Sequence, residues 1–433
     1  MFCKTVWNGL HILPDGYIRL CSLGTNSIPE LDMQRARDKS GNVMHILTHS
    51  LEEICNSDKH RSVRTFNIEN PNSWSPHCAC CESRELVTNY NRNHPNKSRR
   101  VYLLSMDTDN IVNENNYSTN NMLDGTVNWM PNSLDIRFGN LCNQKCVMCG
   151  PTFSNQWYDE FVEYFKTNEF GQGEKISIIK DPKTNKWIEP PELKWFEDPR
   201  WWQKFDTLMP HLKHIYITGG EPMIAPAHDE MLDKLIEAGY AKDIWLEYDS
   251  NCSAINPKII SKWYYFKSVH IRGSMDGINQ EYELIRYGGK WTKFVENVKI
   301  LKNIENESNG KIKLLSLSSC VTLLNMLTIK ESEEFCKSIN ANFHVRFLEG
   351  PSFLSLYFLP DQAKKDVIEF HKRNMSNKSE MIINLLNENL KNSNHNKNNI
   401  KEFYDYMSFL DNSRKTNWKQ TFPKIYNFLQ NYE

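Results

Sequence analysis

The chain has 433 residues with 52 Lys+Arg against 53 Asp+Glu, a formal charge of −1. That length allows a large core and about two domains, and the charge offers no whole-chain field for nucleic acid or an anionic membrane. Hydrophobic residues make up 39% and charged residues 24%, which excludes fibrous and wholly disordered classes. A bilayer span needs roughly 18–20 apolar residues, and the longest uncharged run, Leu314 to Ile329, is broken by Ser316, Ser318, Ser319, Thr322 and Asn325. The opening stretch from Met1 to Asn8 lacks a basic region followed by an apolar one, so no secretory signal is read and a cytoplasmic setting is expected. Disulfides are disfavoured there, so the twelve cysteines point to metal binding or catalysis.

In chain order, the first signal is the Pro14-Asp15-Gly16 turn between two alternating runs, which predicts a hairpin that brings Cys3 and Cys21 to the same end. Cys78 and Cys81 then form a C-x2-C pair, with Cys80 leaving the choice of ligand in that knuckle open. Four thiolates from a hairpin and a distant knuckle make a closed site for zinc or for an iron–sulfur cluster. Cys55, Cys320 and Cys336 sit in apolar surroundings and read as core residues.

Ser133-Leu134-Asp135-Ile136-Arg137-Phe138 alternates with period two and predicts a strand. It leads through Gly139-Asn140 into Cys142, Cys146 and Cys149, and residues 155–165 follow with helical spacing. Three thiolates in a C-x3-C-x2-C loop suit a cubane cluster with one iron left open to a non-protein ligand; the alternative is a structural zinc with a distant fourth ligand. A loop at the C-terminal end of a strand that opens a βα unit is where α/β barrels place their chemistry.

An aromatic insert follows, with Trp187, Trp195, Trp201 and Trp202 among Pro190, Pro191 and Pro199. It is read either as a cover for an active-site mouth or as a helix packed on the outside. Five more strands are predicted at 214–218, 243–248, 268–272, 313–322 and 343–347, mostly with helices between them. Six βα-type units without a hairpin signal argue for a partial (β/α)6 TIM-type barrel. Gly219-Gly220-Glu221-Pro222 follows the second strand, Asn251 the third and Ser274-Met275-Asp276-Gly277 the fourth. Glycines allow close backbone approach, Glu221 can accept from an ammonium, Ser274 and Asp276 suit a diol, and Arg286 can fork a carboxylate. The plainer readings of Arg286 and Asn251 are a surface ion pair and a turn residue.

The cysteine triplet and these two turns, in this order, resemble the radical S-adenosylmethionine (SAM) enzymes over roughly residues 129 to 350. The resemblance implies a [4Fe-4S] cluster on Cys142, Cys146 and Cys149, whose open iron is chelated by SAM. It also implies that Gly219, Gly220, Glu221, Pro222, Asn251, Ser274, Asp276 and Arg286 hold the cofactor. Met148 stands where the family often has an aromatic residue, and it stays apolar. Residues before 100 are similar to the SPASM and twitch auxiliary-cluster regions, through Cys3, the Asp15-Gly16 hairpin, the Leu51–Ile54 helix, Arg64 and the Cys78/Cys81 pair. That similarity implies an auxiliary [4Fe-4S] cluster on Cys3, Cys21, Cys78 and Cys81. Ser22 departs from the pattern where a second adjacent cysteine is common, and the region precedes the core motifs instead of following them.

The expected organisation is thus a small auxiliary-cluster domain at 1–128, a core barrel at 129–355 and a helical extension at 356–433, with a polar linker from Asn392 to Asn399. The implied activity is reductive cleavage of SAM to methionine and a 5′-deoxyadenosyl radical that takes a hydrogen atom from a substrate. An electron donor such as flavodoxin or ferredoxin is implied as partner, and a peptide is the favoured substrate. Radical chemistry on a small molecule or sugar, and a non-catalytic iron–sulfur or zinc protein, stand as alternatives.

Overall fold

The structure is a computed structural model that describes residues 3–21, 35–78, 123–170, 175–391 and 399–432. Ser22, Cys80, Cys81 and linker residues 392–398 lie outside the described residues. By compactness the chain divides into two units: Met1–Leu141, Glu169–Asp249 and Asn256–His270 in the first, and Cys142–Asn168, Ser250–Ile255 and Ile271–Glu433 in the second.

In the first unit the predicted hairpin forms: β1 (Gly9–Ile12) pairs antiparallel with β2 (Ile18–Arg19) around Pro14-Asp15-Gly16, with Gly16 at φ 76°. The residues before β1 form a short helix, Lys4–Asn8, rather than extended chain. Next come β3 (Ser133–Ile136), β4 (His214–Ile217), β5 (Trp245–Ser250) and the start of β6 (Ser268–Ser274). Their order is β2-β1-β3-β4-β5-β6, and β1 lies parallel to β3 with His11 opposite Asp135. The chain passes into the second unit along β6, where β7 (Ile312–Val321) and β8 (Phe343–Phe347) continue the order, β8 parallel to β7. From β3 to β8 the spatial order equals the chain order, and an α-helix lies between successive members of this series. That is the singly wound, mixed α/β topology of a partial (β/α)6 barrel, with the hairpin added beside its first strand.

Local sequence explains the boundaries. Ser50 and Glu53 form a capping box on the helix Leu51–Cys55, while Asn256 caps Pro257–Trp263 with proline in its first turn. The region between β3 and β4 contains two small antiparallel ladders, Glu169–Phe170 with Ile176–Ser177 and Ile179–Lys180 with Trp187–Ile188. Their strands are two residues long, too short for alternation to announce them.

The register sorts the strand residues of the first unit onto two faces. Leu134, Ile136, Ile215, Ile217, Leu246 and Tyr248 share one face and are buried. The other carries buried His11, Asp135, His214, Tyr216 and Glu247. Asp135 meets His11 at 3.2 Å and Arg137 at 2.7 Å; His214 lies 3.0 Å from Glu247, and Tyr216 donates to Asp249. A parallel sheet covered equally on both faces reads as continuous apolar runs; this face departs from that, and its buried polar groups are paired with one another, as burial requires.

Candidate active site

The cysteine loop belongs to the second unit, and backbone bonds hold it from several sides. The Lys145 and Val147 amides donate to the Tyr287 and Ile285 carbonyls at 2.9 and 2.8 Å, and the Cys142 amide donates to Asn155 Oδ1 at 3.2 Å. Trp157 Nε1 donates to the Cys146 carbonyl at 3.1 Å, Ser154 Oγ to the Gln144 carbonyl at 2.6 Å, and Tyr406 Oη to the Val147 carbonyl at 2.7 Å. These loop carbonyls and amides are therefore spent on scaffolding.

Burial pushes the Cys146 thiol up, against the pull of Arg286; burial also raises Cys149, and Cys146 and Cys142 add to that rise. Among the described residues no three His, Cys, Asp or Glu side chains converge tightly enough for a single ion. A cubane instead needs three thiolates spaced around a multi-atom core, and iron binding would displace the protons that burial retains.

Around this loop stand several residues picked out in the sequence. Arg286 Nη2 lies 2.7 Å from Asp276 Oδ2, and its Nη1 lies 3.8 Å from Cys146 Sγ. Burial opposes the Arg286 charge, yet Asp276 and then Cys146 hold its pKa raised. Asp276, at φ 61°, also accepts from the Cys320 amide at 2.6 Å through Oδ1. Both groups thus face each other within the protein, where the plainer reading had placed Arg286 in a surface pair. Asn251 Nδ2 donates to Asn143 Oδ1 at 2.8 Å, tying the end of β5 to the loop between the first two cysteines. Ser274 is half-buried at the end of β6.

Gly219, Gly220, Glu221 and Pro222 lie in the first unit. A Cβ on Gly220 would come within 2.0 Å of the Leu141 carbonyl oxygen, and the Glu221 amide donates to that oxygen at 2.8 Å. Gly220 thus lies close against the chain leading into Cys142. Glu221 is buried and accepts from the Met223 amide at 3.1 Å. His228 supports the same turn: Nδ1 donates to the Pro222 carbonyl at 2.8 Å, and Nε2 accepts from Tyr248 Oη at 2.9 Å. Burial pulls this imidazole down to about 4, so it is neutral near pH 7.

The second unit also contains a buried cluster that sequence reasoning missed. Arg414 Nη2 meets Glu160 Oε2 at 2.7 Å and its Nε bonds both carboxylate oxygens at 3.1 Å; Lys145 Nζ reaches the same carboxylate at 2.6 Å. The guanidinium lies 4.8 Å above Trp157 and 5.0 Å above Tyr287. Glu160 follows the cysteine loop by helical spacing, but nothing local links it to a residue 254 positions away.

In the first unit, Cys3 caps the helix Lys4–Asn8 and Cys78 ends the turn Pro76–Cys78, and both pack against Val6, Leu20 and Val63. Cys21 follows β2 directly and is half-buried. Arg64 Nε donates to the Val6 carbonyl at 2.9 Å, fixing the segment that carries Cys3. Cys81, the fourth member of the expected set, lies outside the described residues.

A strand-end thiol loop in a (β/α)-wound sheet, with further thiols beside a hairpin earlier in the chain, is an arrangement that suits an iron–sulfur class of protein. Family comparison agrees: residues 136–314 match the radical SAM superfamily and residues 3–82 match an iron–sulfur cluster-binding domain, SPASM. A radical SAM domain implies a [4Fe-4S] cluster and SAM, and a SPASM domain an auxiliary cluster. No match to a curated protein was found. Among solved structures, the chain is similar to native anSMEcpe with bound AdoMet and Cp18Cys peptide at 13% identity and TM-score 0.35, with 59% of this chain and 61% of that chain covered. It is also similar to SuiB of Streptococcus suis at 13% identity and TM-score 0.35, with 73% and 64% covered. The chain therefore spans about three fifths of the first of these proteins. Among the described residues no helix is long and apolar enough to cross a membrane.

Proposed function

We propose that this chain is a radical SAM enzyme acting on a peptide, with Cys142, Cys146 and Cys149 as ligands of the SAM-binding cluster. The observation that carries the reading is the loop of one buried and two half-buried cysteines, held from several sides by backbone bonds and lying next to the Asp276–Arg286 pair. When bound, the cluster and SAM would supply one-electron reductive chemistry that leads to hydrogen abstraction from a substrate, with Cys142, Cys146 and Cys149 holding the cluster. The protein's own contribution is positional. Arg286 places a fixed positive charge beside Cys146, where a cluster carrying thiolate charge would otherwise be uncompensated. Asn251 bonds Asn143 within the loop, the Gly219–Pro222 turn bonds Leu141, and these residues with Ser274 are the proposed contacts to methionine and ribose. Cys3, Cys21, Cys78 and Cys81 are the proposed ligands of the auxiliary cluster, and a small electron carrier such as flavodoxin or ferredoxin is the proposed reductant. The support for a peptide substrate is the auxiliary-cluster region, which often accompanies modification of ribosomally made peptides.

Anaerobic reconstitution with iron, sulfide, SAM and dithionite tests the proposal. We expect 5′-deoxyadenosine from the wild-type chain and its loss in Cys146→Ala; a cluster-loaded wild-type sample that forms none would refute the activity. Iron analysis of a Cys78→Ala/Cys81→Ala variant should show loss of the auxiliary iron alone, and full retention would overturn that ligand set.

A further inference from the structure

A cavity of about 750 Å³ in the first unit is not used by any of the chemistry above. Its size lies within the range of about 300–1,000 Å³ usual for ligand pockets. It sits beyond the C-terminal end of β3, between the aromatic insert and the start of the helix Pro226–Glu237, and Leu141, the residue before Cys142, forms part of its wall. Phe138, Leu141, Phe196 and Trp202 supply apolar walls. Phe138 is backed by Trp195 and Trp201 at ring distances of 6.1 and 6.4 Å, so this wall is rigid. In an open α/β sheet the crevice outside the carboxyl ends of the strands is where ligands bind.

Charge at the rim selects the ligand. Glu189, Glu197, Asp206 and Glu230 face Lys194 and Lys234. Lys234 is paired with Asp206 at 3.0 Å, and Lys194 approaches Glu189 at 3.9 Å. Glu197 and Glu230 have no ion pair among the described residues, leaving two carboxylates uncompensated at the mouth. Burial, and then Glu197, raise the Glu189 carboxyl against the pull of Lys194, as a crowded acidic rim should. The face of Trp202 already attracts an ammonium, with Lys234 Nζ 5.7 Å from its ring.

We propose that this cavity is the docking pocket for a substrate peptide segment with a large apolar side chain flanked by lysine or arginine. The proposal rests on the peptide reading above and gives it a binding chemistry. The apolar side chain enters between Phe138, Phe196 and Trp202, and the flanking cations meet Glu197 and Glu230.

The test uses the full reconstituted chain and three peptides bearing a neutral fluorophore, read by fluorescence polarisation: Lys-Leu-Phe-Lys, Glu-Leu-Phe-Glu and Lys-Ser-Ser-Lys. We expect the first to bind about tenfold more tightly than either other peptide, as one or two rim pairs plus one buried apolar side chain allow. Trp202→Ala should weaken Lys-Leu-Phe-Lys toward the level of Lys-Ser-Ser-Lys. Glu197→Lys/Glu230→Lys should invert the preference in favour of the Glu-flanked peptide, a gain that a misfolded variant cannot produce. Equal binding of the three peptides, no binding, or an unchanged preference in the charge-reversed variant would overturn the pocket assignment. Formation of 5′-deoxyadenosine by the wild-type chain is scored separately. Its absence alongside the expected binding pattern refutes the enzymatic reading and spares the pocket; its presence with equal binding does the reverse.

Discussion

Replacing Arg414 by Met removes the guanidinium that holds the cysteine loop's neighbour, Glu160. The two side chains are 2% and 3% exposed and share three contacts at 2.7–3.1 Å. Truncating one partner of such a buried pair costs about 3–5 kcal/mol, because the other charge is left in a poor solvent. Lys145 remains 2.6 Å from Glu160 and the Met side chain preserves the packing on Trp157, so the lower end, about 3 kcal/mol, applies. If that energy is local to the loop, amides in residues 142–165 should exchange hydrogen somewhat over 100-fold faster, since about 1.4 kcal/mol is tenfold. The assay is anaerobic hydrogen exchange read by mass spectrometry, with Glu160→Gln and the double variant completing a cycle. Burial raises the Glu160 carboxyl, but Arg414 and Lys145 outweigh it and hold it below its ordinary value of 4.5. Its contribution is therefore complete above pH 4.5 and lost as pH falls through the lower folded value. Less than a threefold change in exchange at pH 7, or strict additivity in the cycle, would refute the reasoning.

Three further outcomes are expected. Gly220→Ala places a Cβ 2.0 Å from the Leu141 carbonyl oxygen, a backbone clash that should cost about 3 kcal/mol or more and lower iron bound at the triplet, measured per chain after reconstitution. An unchanged iron content would show that the turn does not govern the loop. Because His228 is held neutral with its pKa near 4, exchange protection of residues 219–228 should be constant above pH 6.5 and fall as pH drops toward 4; flat protection over that range counts against the imidazole's role. Burial lifts Glu281 to about 7, so its protonated form is the stable one. Thermal stability should decline as pH rises from 4.5 to 7, and Glu281→Gln should flatten that slope.

The six βα units and the placement of each motif at a strand end were legible in the sequence because period-two strands and capped helices are local. The sixth strand, Phe343–Phe347, has the same bounds in the structure as its β-rich run. The small ladders in the insert were not legible, since two-residue strands leave no periodicity. The helix Asp58–Glu69 was also passed over, and there the apolar stripe is narrow, with only Val63 among its buried residues apolar. Arg414, Tyr406 and Glu160 were missed for a different reason: each acts on a partner far along the chain, and no spacing rule connects Tyr406 to Val147.

The sequence by itself determined the motifs: three thiols at C-x3-C-x2-C spacing, two turns that follow strands in order, and Cys3, Cys21, Cys78 and Cys81 ahead of them. Residue type and short-range spacing are enough for that, because metal-ligand loops and strand-end turns are built from neighbours in the chain. Tertiary structure alone decided what each motif touches. Gly220 lies against the chain entering Cys142, Arg286 pairs with Asp276, the hairpin extends the sheet beside β3, and the helix Ile400–Arg414 bonds the cysteine loop through Tyr406. Those contacts depend on which distant surfaces must meet to bury apolar area and neutralise buried charge, and only the folded chain settles that competition.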